Sequence, residues 1–159
     1  MKRIISILIE NKPGALARVV GLFHQRGYNI EMLNVGPVFD GSYSRMTVTT
    51  RGSENDVEQI TKQINKIIDV IKVSDLTEGE HHEYEFILVK FIHNEKIQKI
   101  LKKLNGKIHE KNKHAIVMSA WGISSDIEIA IKAIGNANLL EIVRSGSIGL
   151  HEGEKVLKI

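Results

Sequence analysis

The sequence predicts an α+β chain in which two ferredoxin-like βαββαβ units follow one another in tandem. β-Branched runs of strand length alternate with amphipathic helical stretches, and the order strand–helix–strand–strand–helix–strand occupies residues 1–76. The same order recurs in residues 84–159, and the polar, acidic residues 77–83 separate the two stretches. We therefore expect an N-terminal domain at 1–76, a linker at 77–83 and a C-terminal domain at 84–159.

The composition excludes several classes of protein. With 159 residues, 42% of them hydrophobic, the chain is long enough to bury substantial cores, which argues against disorder. It has no cysteine and therefore no disulfide, no thiolate nucleophile and no cysteine-ligated metal. A net charge of +3, shared by both halves, gives no indication of nucleic-acid binding. No apolar run is long enough to span a bilayer, so we expect a cytoplasmic protein without a membrane partner.

The first strand and helix of the N-terminal domain have clear boundaries in the sequence. Residues 3–9 alternate in the manner of a strand and stop at the breaker cluster 11–14, which reads Asn-Lys-Pro-Gly. A helix is predicted directly after the cluster, and Gly27 ends it. The apolar stripe of this helix is Leu16, Val19, Val20 and Phe23.

A hairpin, a capped helix and a fourth strand complete this domain. The predicted strands are 28–38, 44–50 and 68–73, with an Asp40-Gly41 turn between the first two. Ser53 and Asp56 have the spacing of a capping box that starts the second helix. The apolar stripe of that helix is Val57, Ile60, Ile64 and Ile67.

The C-terminal domain repeats this order with a short first helix. The predicted strands are 84–92, 107–110, 115–121 and 139–144. Asn94 is expected to cap the first helix, and Ser125 with Glu128 to form a capping box ahead of the second. The glycine-rich tail after residue 144 is expected to be loop with one short strand.

The first strand-to-helix turn is the segment most informative about chemistry. Pro13 fixes its own φ, and Gly14 lets a ligand approach the backbone because it has no Cβ. The amides of Ala15 and Leu16 are expected to be unpaired at the helix N-terminus, where backbone N–H groups hold a carboxylate well. The turn therefore indicates an anion-binding position made of backbone rather than of reactive side chains.

Two asparagines flank this turn and its helix. Asn11 precedes the turn, and Asn29 follows the helix. Their amide groups both donate and accept hydrogen bonds, which suits a zwitterion with an ammonium beside its carboxylate. The residues are consistent with an amino-acid ligand, but the spacing alone favours a simple connection, in which residues 11–14 are only a turn and Asn29 only begins a strand.

Residues 7–35 resemble the opening of an ACT domain, the ligand-sensing module found in enzymes of amino-acid metabolism. Further segments extend the similarity to the small regulatory subunit of acetolactate synthase, the first shared enzyme of branched-chain amino-acid synthesis. These segments are Gly27–Glu31, Ser44–Thr47, Ile67 with Asp69 and Val70, and Arg144–Gly146.

This resemblance implies a regulatory subunit that is not an enzyme by itself. It implies a homodimer of ACT domains that binds valine, or a related branched-chain amino acid, at the dimer interface. It also implies activation and feedback inhibition of a separate catalytic subunit, which carries thiamine diphosphate, magnesium and FAD. The small chain is then expected to hold no cofactor, no metal and no catalytic residue.

The resemblance also assigns an effector site by position. The site comprises Asn11, Gly14 and Asn29, with the backbone of Pro13, Ala15, Leu16 and Ile30 lining it, and Gly36 where relatives often carry a small residue such as alanine.

Other candidate chemistry is less specific. The Glu and His residues at 78–85 offer metal ligands but are typical of a solvated linker, and the lysines at 96–113 are typical of a solvated helix face. Trp121 is expected to be a packing anchor, and Arg144 to pair with a carboxylate or a phosphate. The sequence contains no nucleophile elbow, zincin motif or P-loop. The main alternative function is a free-standing amino-acid-sensing ACT regulator of another enzyme or of transcription.

Overall fold

The computed structural model describes residues 1–38 and 40–157 and confirms the α+β class. Contacts divide the chain into two units, of which the second is Glu83–Gly146. The first unit is Met1–His82 together with the tail that begins at Ser147. The tail therefore differs from the sequence-based division, which assigned it to the C-terminal domain.

The first unit has the expected βαββαβ order. Its elements are β1 (Lys2–Glu10), α1 (Ala15–Gln25), β2 (Ile30–Val38), β3 (Tyr43–Arg51), α2 (Glu54–Ile64) and β4 (Val70–Asp75). The sheet order is β2-β3-β1-β4, and all three pairings are antiparallel. Strands β2 and β4 are therefore the edges of this sheet, and the loop after β2 includes the predicted Asp40-Gly41 turn.

The core of the first unit lies between the helices and one face of the sheet. Every second residue of β1 points to this face, as the period of a strand requires. The buried members of the core are Ile5, Ile7, Ile9, Ala15, Val19, Phe23, Met46, Val48, Val57, Ile60 and Ile64. The apolar stripes predicted for the two helices are thus confirmed, although Ile67 packs on the core from beyond the end of α2.

The capping box of α2 is formed as predicted. The Asp56 amide donates to Ser53 Oγ at 3.2 Å, and the Ser53 amide donates to Asp56 Oδ2 at 2.8 Å. Ser53 Oγ also donates to Asp56 Oδ2 at 2.7 Å, and this bond, followed by the one from the Ser53 amide, is the main reason that the pKa of Asp56 is lowered from its usual value.

Removing this cap should destabilise the protein measurably. Ser53→Ala is expected to lower the free energy of unfolding by about 1 kcal/mol, because an amide of the first turn loses its acceptor. The measurement is urea unfolding, with Ser125→Ala as the matched control, since no side chain caps the helix at that position. Equal losses in both variants would contradict this account of the cap.

The second unit repeats the order and is followed by a short strand. Its elements are β5 (His81–Ile92), α3 (Glu95–Lys102), β6 (Lys107–Lys111), β7 (Ala115–Gly122), α4 (Ser124–Ile134) and β8 (Leu139–Arg144), and the tail forms β9 (Ile148–His151). The sheet order is β6-β7-β5-β8, and β9 pairs with β5, whose first two residues belong to the first unit. Asn94 caps α3 as predicted, with its Oδ1 accepting from the amide of Lys96 at 2.9 Å.

Three details of the second unit differ from expectation. Helix α4 begins after Ile123, and no side chain caps it, so the capping box predicted for Ser125 is not formed. Glu128 instead pairs with Arg144 at 2.7 Å. Strand β5 begins at His81, inside the segment assigned as linker. Trp121 is 44% exposed and packs edge-to-face on Tyr84 rather than in the core.

Candidate effector site

The turn between β1 and α1 is fixed to the β2–β3 hairpin by Asn11. The Asn11 amide donates to the carbonyl of Ser42, and Nδ2 donates to the carbonyl of Gly41, both at 2.8 Å. Gly14 follows with a φ of +85°, a left-handed conformation that a residue with a Cβ adopts only with strain. The turn therefore requires glycine at this position for a conformational reason that the sequence analysis did not give.

The N-terminus of α1 presents free amides, though not quite the pair expected. The Ala15 amide donates to the carbonyl of Lys12 at 3.2 Å, so the expectation that it is unpaired was wrong. Among the described residues, the amides of Leu16 and Ala17 have no acceptor. No side chain caps this helix, so two N–H groups remain available for an anion.

An open cavity of about 250 Å³ lies beside these amides. Its lining is Ile9, Glu10, Asn11, Lys12, Ala15, Leu16, Val35, Gly36, Pro37 and Ser44. Four of the residues assigned by resemblance are therefore together here, namely Asn11, Ala15, Leu16 and Gly36. A Cβ at Gly36 would meet nothing within 4 Å, so the position also has room for alanine.

Charges next to the cavity are paired with one another. Lys12 Nζ lies 2.8 Å from Asp69 Oδ1 and also contacts Glu10, and Arg18 Nε donates to Asp69 Oδ2. The bonds from Arg18 and then Lys12 lower the pKa of Asp69, and the bond to Asp69 is the first cause that raises the pKa of Lys12. Asp69 thus holds the start of α1 against the start of β4.

Sequence reasoning did not predict this ion-pair cluster. Asp69 entered only as part of the family resemblance, and Lys12 only as part of the turn. The sequence shows that Lys12 and Arg18 lie six residues apart, one on each side of the start of α1. Their shared partner Asp69 could not be predicted, because it lies more than fifty residues away in the chain.

Asn29 and Ile30 lie at the opposite end of the sheet from this cavity. The Asn29 carbonyl accepts from Thr50 Oγ1 at 2.7 Å, and Ile30 pairs with Thr50 across β2 and β3. The Asn11 amide is bonded to Ser42, eight residues away from Thr50, which corresponds to about 25 Å along a strand. A single chain therefore does not bring Asn11 and Asn29 together.

Strand β2, which follows Asn29, is an edge strand of this sheet. It is nine residues long, and Glu31 is its only charged residue. Leu33 and Val35 are 37% and 41% exposed. A long apolar edge strand of this kind is a template for pairing with another strand.

Two other sequence candidates lie elsewhere in the chain. The Arg144 guanidinium donates to both carboxylate oxygens of Glu85, at 2.5 and 2.9 Å, and also contacts Glu128, so it pairs with carboxylates rather than a phosphate. In residues 1–38 and 40–157, no three His, Asp or Glu side chains are grouped as metal ligands. No helix in the same part of the chain is long and apolar enough to cross a membrane.

Two family models together match most of the chain. Residues 5–72 match the model of the acetohydroxyacid synthase (AHAS) small subunit-like ACT domain, and residues 84–153 match the model of the small subunit of acetolactate synthase. The chain belongs to the acetolactate synthase small-subunit family.

Individual members of the small-subunit family match along their whole length. The chain is 40% identical to the small subunit of acetolactate synthase isozyme 3 of Escherichia coli, over 99% of this chain and 100% of that protein. It is 37% identical to the probable small subunit of Archaeoglobus fulgidus, over 98% of this chain and 99% of that protein. The crystal structure of the Thermotoga maritima small subunit superimposes with a TM-score of 0.86 at 28% identity, covering 98% and 99% of the two chains.

Proposed function

We propose that this chain activates the catalytic subunit of acetolactate synthase and confers feedback inhibition by valine bound at the interface of two ACT domains. The observation that carries the proposal is the separation of Asn11 and Asn29 in one chain, combined with the free edge of β2. A small subunit alone is then regulatory, and the thiamine diphosphate, magnesium and FAD of the reaction belong to its partner.

Pairing of β2 with β2 of a second copy would complete the site. An antiparallel pairing of identical strands reverses one relative to the other, so the start of one lies beside the end of its partner. Asn29 of the second copy then lies near Gly36 and Pro37, which line the cavity of the first. The same operation builds two equivalent sites in one dimer.

The groups at such a site suit a small branched amino acid. The amides of Leu16 and Ala17 would receive the carboxylate. Asn11 already donates through Nδ2, and its Oδ1 can accept from the ammonium together with Oδ1 of Asn29 from the second copy. The apolar walls formed by Val35 and Pro37 would contact the isopropyl group.

A site shared between two copies can regulate an enzyme because the affinity of the ligand depends on how the two copies are arranged. Valine shifts an equilibrium only by its differential affinity for two states, which is typically worth about 1–3 kcal/mol per coupled site. Activation by binding to the catalytic subunit and inhibition by valine are separate couplings, so different residues can carry them.

Reconstitution tests both couplings. The purified chain is mixed with the thiamine-dependent catalytic subunit and examined by gel filtration and by rate. We expect co-elution and a higher rate, which L-valine then lowers and D-valine does not. Absence of a complex at micromolar concentration, with amino-acid binding retained, would favour a free-standing ACT regulator instead.

A further inference from the structure

The tail after residue 146 runs along the first unit, where side chains bond it in addition to the backbone pairing of β9 with β5. Arg45 Nη2 donates to the carbonyl of Gly149 at 3.0 Å, while Arg45 Nε donates to Ser6 Oγ at the same distance. The side chain of His151 contacts Ser74 Oγ through Nε2 at 2.6 Å. We call residues 147–157 the strap.

Two further contacts extend this attachment along the strap. Lys72 Nζ donates to the carbonyl of Val156 at 3.3 Å, and Leu157 is only 8% exposed. The Glu152 amide donates to the carbonyl of Glu80 at 3.0 Å. The strap is thus attached at several separate points on β3, β4 and the segment that precedes β5.

The strap lies on the face of the sheet opposite the helices. Arg45 is paired with Leu8 and alternates with the core residue Met46, so its side chain belongs to the outer face. Ser6 and Thr47, which pair directly on that face, are buried and polar. The same face also carries Ile4 and Leu8, each 1% exposed, and β9 is paired with β5 in addition to the side-chain bonds. Local opening of such a peripheral segment requires less free energy than unfolding of the core on the other side.

His151 is the titratable group at the centre of the attachment. Ser74 and Asp75 face it from β4, Arg45 from β3, His81 from the start of β5, and Lys155 from the strap itself. The open cavity beside it is lined by Glu78, Glu80, Glu152 and Lys155. Burial is the first cause that lowers the pKa of His151. The nearby cationic groups of Lys155, His81 and Arg45 lower this pKa further, and Asp75 raises it.

We propose that the strap is a proton-responsive closure, in which residues 147–157 lie on the sheet while His151 is neutral and are released when His151 is protonated. The Ser74 hydroxyl can bond to either form of the ring, so the sign follows from the surroundings: a proton on the partly buried His151 places a cation beside Arg45 and Lys155. Because the pKa of His151 is lower in the closed state than in the open state, the neutral ring stabilises the closed strap at pH values above the ordinary histidine pKa. This stabilisation is lost as the pH falls through the lowered pKa of the closed state.

The strap is attached to the β2–β3 strand pair, which also contributes to the candidate effector site. Arg45, which holds Gly149, is the cross-strand partner of Gly36, and Gly36 lines the cavity. The proposal itself does not depend on valine or on the catalytic subunit, so it can fail or succeed independently of the proposed function.

Amide hydrogen exchange on the full chain tests the closure. Protection factors, corrected for intrinsic rates, are compared between about pH 7.5 and about pH 5.5. We expect protection of residues 148–157 to fall several-fold at the lower pH, while protection of β1 is unchanged. His151→Gln should remove this pH dependence, and His24→Gln, a histidine on α1, should leave it intact.

A second measurement needs no substitution. The ring of His151 is titrated by NMR in the unmodified chain, and its pKa should lie below the ordinary histidine value of about 6.5. A pKa at or above that value would overturn the proposal. So would protection of the strap that does not change with pH, or that changes equally in the wild type and in His151→Gln.

Discussion

Asn29→Ala is expected to abolish the response to L-valine while activation of the catalytic subunit is retained. Within residues 1–38 and 40–157 of one chain, Asn29 is bonded through its backbone carbonyl, which accepts from Thr50 Oγ1, and not through its side chain, so the substitution should leave folding intact. Its side chain is proposed to act only in the cavity of a second copy, where it orients the ammonium. Loss of that contact removes an interaction that exists only in the bound dimer.

The thermal unfolding midpoint of the isolated chain measures this loss. At a hundredfold excess of L-valine over its dissociation constant, linkage predicts about 2.7 kcal/mol of stabilisation per site in the wild type. We expect no stereospecific stabilisation in Asn29→Ala, and wild-type behaviour in Asn65→Ala, which changes an asparagine at the end of α2. If valine response and activation of the partner fell together, the site and the docking surface would not be separable as proposed.

Arg144→Ala is expected to destabilise the second unit by about 2–3 kcal/mol. Glu85 is 1% exposed, and both of its carboxylate oxygens accept hydrogen bonds from the Arg144 guanidinium. These bonds are the main reason that the pKa of Arg144 is raised. Removing the arginine leaves a buried carboxylate unpaired, which costs more than the loss of an exposed ion pair. The 26% exposure of the arginine side chain places the effect below that of a fully buried pair.

The chain's single tryptophan makes this effect measurable. Trp121 lies in β7 of the second unit, so its fluorescence follows unfolding of that unit. Glu128→Gln serves as the control, because Glu128 is 45% exposed and its loss leaves the Glu85 pair in place. A control variant that lost as much stability as Arg144→Ala would show that the pair with Glu85 is not the main contribution.

The features predicted correctly from sequence are those determined by neighbouring residues. The breaker cluster before α1 contains a glycine that adopts a positive φ, and Ser53 and Asp56, three residues apart, make the cap that their spacing indicates. Alternation along β1 and helical spacing in α1 identified the core in the same way. Each of these signals depends on contacts within a few residues.

The features that were missed depend on contacts distant in sequence. Glu128 has the spacing of a capping residue but pairs with Arg144 on another element. The tail carries no local signal for where it attaches, and its anchors Arg45 and Ser74 lie more than seventy residues away. The separation of Asn11 and Asn29 is likewise invisible until the strand register is known.

Mixing two defective variants tests the shared site most directly. Asn11→Ala and Asn29→Ala homodimers should each lack valine binding, because every site in them has lost one asparagine. After random subunit exchange, half of the dimers are heterodimers, and each contains one intact and one doubly defective site. Calorimetry should then detect L-valine binding at about a quarter of all sites. No recovery of binding after exchange would contradict a site shared between two copies.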